Sequence, residues 1–481
     1  MDDGSIQAAA MDLHVSLEAG RLSAGVYDQL RAAILDGRLR PGDALPPTRD
    51  FARRLDVSRN TVTNAYQRLI AEGFLVARVG AGTFVSDDVP ALRPAAQRRP
   101  VASPLRPLAS WPDTAPTAAS RITASHDFRL GVPDAKLFPW DAWRRLVARQ
   151  LRPARSRAAG GYADPDGDPA LREAIARHVG LSRAVRASAD DVLVTSGAQQ
   201  AFDLIARVLV DRGTTVAIED PGYPQVRRVF AAVGARLAPT PVDAEGLDVE
   251  RLPARARVVY VTPSHQFPLG VAMSLPRRLA LLDWAERTGA AIVEDDYDSE
   301  LRFDGRPLEP LQSLDRAGRV LYVGTFSKIM LPELRLGFIV APPSLMPALR
   351  AARALTDAFG TLATQTALAA FMADGSLARH VRRVLRTYRE RRDRLVAAIE
   401  RELAGVLTPI PSAAGLHLAA WFDDRRADPA AIVRAALAAG VAVESLAPYY
   451  VQRPRPGLAL GYGAIPRSSI DEGIRRLAAC F

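Results

Sequence analysis

The stretch VLYVGTFSKIMLPELRLGF, Val320–Phe338, opens as an apolar strand over Val320–Gly324 and turns through Ser327 and Lys328. Arg335 follows seven residues beyond the lysine, and a second strand reads from Gly337 to Ala341. About 30 residues upstream, VEDDYDSELRF at Val293–Phe303 continues another apolar run, Ala291–Glu294, so Asp295 and Tyr297 stand at its carboxyl end. Open α/β sheets place ligands at that end of their strands. Further strand-like runs occur at Val192–Thr195, Val216–Glu219 and Val258–Thr262, and helical stretches such as Gln199–Val210 and Pro276–Arg287 separate most of them. That alternation predicts a mostly parallel central sheet covered by helices. After about residue 345, long Arg- and Ala-rich helices and a mixed region suit a smaller C-terminal α+β subdomain.

Lys328 is one of only two lysines; the rest of the 63 basic residues are arginines. Guanidinium stays protonated and is a poor nucleophile, so arginine cannot take over where an amine is chemically required. Lys136, in GVPDAKLFPW, has no strand-end context and reads as structural. A pyridoxal 5'-phosphate site needs an amine for the aldehyde, a carboxylate for the pyridinium nitrogen and a clamp for the phosphate. Lys328 and Asp295 supply the first two. The bland readings are a surface lysine and a strand-end acid capping a turn. VLVTSGAQQAFDLIARVL, Val192–Leu209, is strand, glycine turn and helix, so the amides of Ala198 and Gln199 point toward an anion. EDPGYPQVRRVF puts Tyr223 after another strand end, where an aromatic ring can stack on a flat cofactor.

The N-terminal part follows a different pattern. Val26, Leu30, Ile34 and Leu35 recur at helical spacing until Gly37 and Pro41-Gly42. A second helix reads from Thr48, taken as its N-cap, and a third from Ser58 with Val62, Ala65, Tyr66, Leu69 and Ile70 on one face. Phe74–Arg78 and Thr83–Val85 then form a hairpin around Gly80-Ala81-Gly82. Three helices and a hairpin make a winged helix-turn-helix. Ten arginines against six acids leave Arg21–Ser86 only mildly basic, so the arrangement carries the argument. Arg49 opens the second helix, and Ser58, Arg59, Asn60 and Thr61 form the first turn of the third, the part that reaches base edges in such folds. Arg pairs with guanine and Asn with adenine, while Arg78 and Gly82 suit a wing lying on the duplex. A protein-binding helical module is the bland alternative.

Residues 87–125 are rich in Pro, Ala, Arg and Ser, lack apolar periodicity and read as a linker. The boundaries are therefore 21–86, 87–125 and 126–481. The chain has 481 residues, 48% hydrophobic and 24% charged, with a net charge of +10. Such composition excludes a disordered chain, a collagen-like fibre or a disulfide miniprotein. The single cysteine, Cys480, allows no intrachain disulfide, and no signal peptide or membrane span is apparent, which predicts a cytoplasmic protein. No metal site is expected.

RPGDALPPTRDFARRLDVSRNTV, within residues 21–86, resembles the GntR-type winged helix-turn-helix, and that likeness implies a homodimer on double-stranded operator DNA with paired half-sites. The second half resembles fold-type I aminotransferases, and the whole chain is similar to the MocR subfamily of GntR regulators. The resemblance implies that Lys328 forms a Schiff base with pyridoxal phosphate, Asp295 pairs the ring nitrogen and Tyr297 bonds the phenolic oxygen. It further implies that Ala198, Gln199, Thr325, Ser327 and Arg335 hold the phosphate, Tyr223 stacks on the ring, and Tyr162 reaches the phosphate of a neighbouring subunit.

Two positions depart from the enzyme pattern. TPSHQFPLG, Thr262–Gly270, puts Phe267 where an asparagine bonds the phenolic oxygen, and the sequence leaves open whether His265 or Gln266 substitutes. GLALGYGAI, Gly457–Ile465, has Ala459 where amino-acid aminotransferases carry the arginine that grips the α-carboxylate; Arg453, Arg455 and Arg467 are the candidate replacements. The resulting expectation is a pyridoxal phosphate-dependent transcription regulator that senses a small amine or the cofactor itself. The rival is an active aminotransferase with a vestigial DNA-binding module.

Overall fold

The computed structural model describes residues 22–88, 124–152, 162–304 and 308–481, in two compact units, Met1–Pro107 and Leu108–Phe481. Most of the expected linker, residues 87–125, lies outside the described residues.

In the first unit α1 (Leu22–Leu35), α2 (Thr48–Arg54) and α3 (Arg59–Ala71) accompany a small antiparallel sheet of β1 (Ala44–Leu45), β2 (Leu75–Arg78) and β3 (Gly82–Val85), in the order β1-β3-β2. Val26, Leu30 and Ile34 of α1 meet Phe51, Val62, Tyr66 and Leu69 in one core, as the helical spacing predicts. Ser58 caps α3, its Oγ accepting the Thr61 amide at 3.1 Å. Thr48 is not the cap of α2: Pro47 is, and its carbonyl accepts the amides of Asp50 and Phe51. Proline's fixed φ suits the residue that turns the chain into the helix.

The second unit begins with β4 (His126–Asp127), α4 (Trp140–Gln150) and α5 (Pro169–Arg183). There follow β5 (Val192–Thr195), α6 (Ala198–Leu209), β6 (Thr215–Asp220), α7 (Pro224–Ala232), β7 (Arg236–Asp243), β8 (Gly246–Leu247) and β9 (Val258–Val261). Next come α8 (Leu275–Thr288), β10 (Ala291–Asp296), α9 (Leu311–Leu314), β11 (Val320–Thr325) and β12 (Gly337–Val340). They build an eight-stranded sheet, β5-β12-β11-β10-β9-β6-β7-β8, in which β12 runs antiparallel to both neighbours and β8 antiparallel to β7. The sequence pattern missed β7. Its RLAPTPVD is half-exposed and carries two prolines, which lack donors and are tolerated where only the two-residue β8 lies beyond.

Side chains alternate across the sheet. Val216, Ile218, Val258, Tyr260, Val293 and Val323 pack on Phe202 and Ile205 of α6 and Phe230 of α7. Ala217, Val259, Val261 and Ile292 pack on Leu281, Trp284 and Ala285 of α8. The C-terminal part adds α10 (Met346–Asp357), α11 (Leu362–Ala373), α12 (Ser376–Glu402), β13 (Leu407–Pro409), β14 (His417–Phe422), α13 (Pro429–Ala438), β15 (Val441–Ala442), β16 (Glu444–Ser445), β17 (Gly457–Gly461) and α14 (Ile470–Ala478). Its sheet, β13-β14-β17-β16, is the predicted smaller α+β part. Among the described residues no helix is long and apolar enough to cross a membrane.

Gly324 lies opposite Phe338 across β11 and β12, and a Cβ there would meet the Phe338 ring at 2.2 Å. This contact sets the strand that presents Lys328. Gly324→Ala is expected to cost about 1–3 kcal/mol through overpacking, read as a lower urea midpoint; an unchanged midpoint would show that the ring yields freely.

Candidate cofactor and DNA sites

The last residues of β10 are all acidic, and alternation sends them to opposite faces. Glu294 accepts the amides of Leu311 and Gln312, each at 2.9 Å. Asp296, on the same face, accepts the Arg183 guanidinium at 2.9 Å and the Tyr322 hydroxyl at 2.6 Å. Asp295 faces the other way, into a cavity of about 1300 Å³. Its Oδ2 accepts the Tyr260 hydroxyl at 2.6 Å, while the buried Oδ1 has no hydrogen-bond partner. Burial pushes this carboxyl up to about 7, against the lowering effect of the Tyr260 bond.

Lys328 enters the same cavity from the turn after β11, its Nζ donating to the Gly131 carbonyl at 2.9 Å. Burial lowers its pKa, with Asp298 and Asp295 acting in the opposite sense. At one end stands the start of α6. Gly197, with φ +82°, caps that helix, and a Cβ there would meet the Arg335 guanidinium at 3.1 Å. Arg335, itself left-handed at φ +50°, donates to the Ser196 carbonyl at 2.6 Å. Thr325 and Ser327 share a hydroxyl bond of 3.0 Å beside them. The helix N-terminus, two hydroxyls and one guanidinium form an anion cradle. Tyr223 lines the wall, its ring edge-on to Phe267 at 5.5 Å.

Nine of the ten residues expected around the cofactor thus line one cavity: Ala198, Gln199, Tyr223, Asp295, Tyr297, Thr325, Ser327, Lys328 and Arg335. Tyr162 does not. It is 93% exposed and packs against Phe359. An unpartnered buried carboxylate oxygen, a buried amine and an anion cradle around one cavity fit a pyridoxal phosphate.

Of the two polar residues before Phe267, His265 is the one that reaches Tyr297. Its Nδ1 lies 2.9 Å from both the Tyr297 hydroxyl and Asp298 Oδ2, and its Nε2 lies 3.0 Å from Ser412 Oγ. Gln266 is instead architectural, donating to the carbonyls of Pro221 and Phe267 and to Glu219. His265, Asp298 and His417 bring polar atoms within 4.8 Å of one another. These atoms are engaged: His417 Nε2 reaches the Pro268 carbonyl at 3.1 Å, and burial drives its pKa to about 3. Sequence reading missed Asp298, Tyr260, His417 and Ser412 because no motif joins them. None of Arg453, Arg455 and Arg467 lines the cavity; Arg455 covers the Trp421 ring, and Arg467 pairs with Glu390.

In the first unit Arg49, Ser58, Arg59 and Asn60 are exposed at the starts of α2 and α3. The Thr61 hydroxyl is 2.8 Å from Ser58 Oγ, so it stiffens the cap. Arg78 lies over the Phe84 ring and 3.5 Å from Asp87, and Gly82, φ +114°, opens β3.

Residues 128–475 match the aminotransferase class I and II family, and residues 22–85 match the gntR family of bacterial regulatory proteins. The chain is 40% identical, over 95% of its length and 93% of the relative's, to the probable rhizopine catabolism regulatory protein MocR of Rhizobium meliloti. It is 38% identical to the HTH-type transcriptional regulator TauR of Rhodobacter capsulatus, covering 79% of this chain and 80% of that one. Among solved structures it is similar to the kynurenine aminotransferase of Pyrococcus horikoshii, with TM-score 0.69 and 29% identity over 74% of this chain and 90% of the enzyme.

Asp295, Glu219 and Glu294 are each pushed up to about 7 by burial. Unfolded carboxyls titrate near 4, so between about pH 4 and 7 the folded protein holds protons that the unfolded chain has lost. Their contribution to stability is full below that window and is lost as pH rises through 7. The cofactor-free protein should therefore show a urea midpoint that falls from pH 5 to 8, less steeply in Asp295→Asn. An equal slope in that variant would contradict the assignment.

Proposed function

Because this chain belongs to the gntR family of bacterial regulatory proteins, in the MocR subfamily that carries an aminotransferase class I and II domain, we propose that its cofactor pocket serves sensing rather than turnover. The chain is a pyridoxal phosphate-dependent, aminotransferase-like transcription regulator with a DNA-binding domain. One observation carries the sensing reading. A single cavity holds the full set of cofactor-binding residue types, while the place of the carboxylate-gripping arginine is the buried Ala459.

Pyridoxal phosphate, when bound, supplies an electrophilic carbon for primary amines and an electron-withdrawing ring. Lys328 would be the amine that binds it covalently; burial lowers its pKa, which favours the nucleophilic neutral form. Asp295 Oδ1 holds a proton at the ring nitrogen. The first amides of α6, with Thr325, Ser327 and Arg335, hold the phosphate, and Tyr223 covers the ring. Tyr297, held at 2.9 Å by His265, would hydrogen-bond the phenolic oxygen.

The molecule acts as a homodimer in the cytoplasm. Tyr162 stands in solvent, as a residue serving a second copy's site would. Exposed Leu151 and Leu181 line a groove between α4, α5 and α11, which a second copy would cover. Arg49, Arg59 and Asn60 read operator bases, and the hairpin with Arg78 and Gly82 lies on the duplex. A ligand that binds one dimer arrangement better than another shifts the population between them, and paired half-sites register the shift.

Lys328→Ala should abolish the borohydride-reducible adduct with pyridoxal phosphate; a retained adduct would move the assignment elsewhere. Arg59→Ala should cost about 1–3 kcal/mol of operator affinity and relax sequence choice in gel shifts. Steady-state transamination should stay well below about 10 s⁻¹ for any amino donor. Turnover at that rate together with unselective DNA binding would favour an enzyme with a vestigial DNA module.

A further inference from the structure

The missing arginine leaves a chemical question about the ligand, and the sheet beside it supplies an answer. The β16–β17 register sets Glu444 directly opposite Ala459. Paired residues project to the same face, with Cβ atoms about 4.5–5.5 Å apart. Ala459 is fully buried in an apolar cluster with Leu269, Ala419, Leu446 and Tyr449, with Phe267 packed against it. Where an aminotransferase would project a cation, this face projects a methyl group with a carboxylate beside it.

Glu444 lines the same cavity as Lys328. One carboxylate oxygen accepts the Leu130 amide at 3.0 Å and the other accepts the Tyr449 hydroxyl at 2.5 Å. The adjacent Gly131 carbonyl is the one that receives Lys328 Nζ. Glu444 is thus fixed to the turn that touches the reactive amine. A carboxylate has about four acceptor positions, and these two bonds leave capacity for a ligand. Arg129, which feels its charge, is itself held by Asp127 through two nitrogens.

The other cavity arginines are placed differently. Arg227 donates to the carbonyls of Pro448 and Tyr449, Arg228 is exposed and donates to Gln225 of its own helix, and Arg335 is committed at the anion cradle. Arg434 is exposed on α13. A carboxylate on the amine-bearing carbon would meet Glu444 with no guanidinium from position 459 to offset the repulsion. A hydroxyl or ammonium group would meet a fixed acceptor.

We propose that the pocket's ligand is a primary amine with no carboxylate on its amine-bearing carbon, carrying a hydroxyl or second ammonium group that Glu444 receives. This rests on the sensing reading of the cofactor pocket and names the class of molecule sensed.

The test uses the full-length protein loaded with pyridoxal phosphate, following the cofactor's absorbance during titration with matched pairs: 1,4-diaminobutane against L-ornithine, and ethanolamine against L-serine. Each decarboxylated amine should act at a concentration at least about tenfold lower than its amino acid, because only the amino acid sets a carboxylate against Glu444, and bringing like charges together is costly. Glu444→Gln should weaken 1,4-diaminobutane by about tenfold, the worth of one hydrogen bond to a charged group, and 1-aminobutane by clearly less. Ala459→Arg should reverse the preference within each pair; if that chain fails to fold, the native pairs and Glu444→Gln decide. Amino acids acting as well as their amines, as a grip by Arg434 would produce, overturn the proposal, and so does silence from every amine while the cofactor band is present. Absence of that band before any amine is added would instead overturn the reading of the pocket on which the proposal rests.

Discussion

Desolvation governs the carboxyl ends of β10 and β11, where Asp295 and Lys328 face one cavity. Removing water raises the acid and lowers the amine, so burial drives both toward their neutral forms. Such a pair is costly to keep unless a ligand completes it, and Asp295 Oδ1 shows where completion is lacking. The rest of the site supports these two groups. Tyr260 fixes one oxygen of Asp295, the Arg183–Asp296 pair anchors the opposite face of the same strand, and Gly324 lets Phe338 close over β11. The sheet's alternation keeps the three successive acids from sharing one environment.

The two departures from the enzyme pattern form one structural feature. Phe267 packs against the cluster that buries Ala459, and its ring meets Tyr223, Tyr297, His417 and Tyr449 edge-on. Apolar volume thus replaces both an amide and a guanidinium. His265, two residues before Phe267, reaches Tyr297 with Asp298 behind it. Opposite Ala459 stands Glu444, with the charge opposite to an arginine's.

Much of this was legible in the sequence because local signals coincide there. A lysine in a chain nearly devoid of them sits just after a strand, an acid ends the preceding strand, and a glycine turn opens a helix; each needs only a few adjacent residues. The hidden parts converge from distant segments. Ser412 meets His265 across 147 positions, and Glu444 meets Leu130 across 314. Strand β7 was hidden by its prolines, and the cap of α2 moved from Thr48 to Pro47 because a carbonyl can do what a hydroxyl was expected to do. Gln266 and His265 are adjacent and both polar, so only the fold separates the one that braces its own loop from the one that reaches Tyr297.

In the proposed function, occupancy of the pocket and operator binding are coupled. Allosteric coupling is reciprocal and is typically worth about 1–3 kcal/mol, or roughly 5–150-fold in affinity. The most direct measurement is the operator dissociation constant of the full-length chain without cofactor, with pyridoxal phosphate, and with pyridoxal phosphate plus a saturating amine, at one fixed salt concentration. The account predicts that at least one of these changes of state alters operator affinity by a factor in that range, and that operator DNA alters cofactor or amine affinity by the same factor. Equal operator affinity in all three states, with the cofactor demonstrably bound, would contradict it.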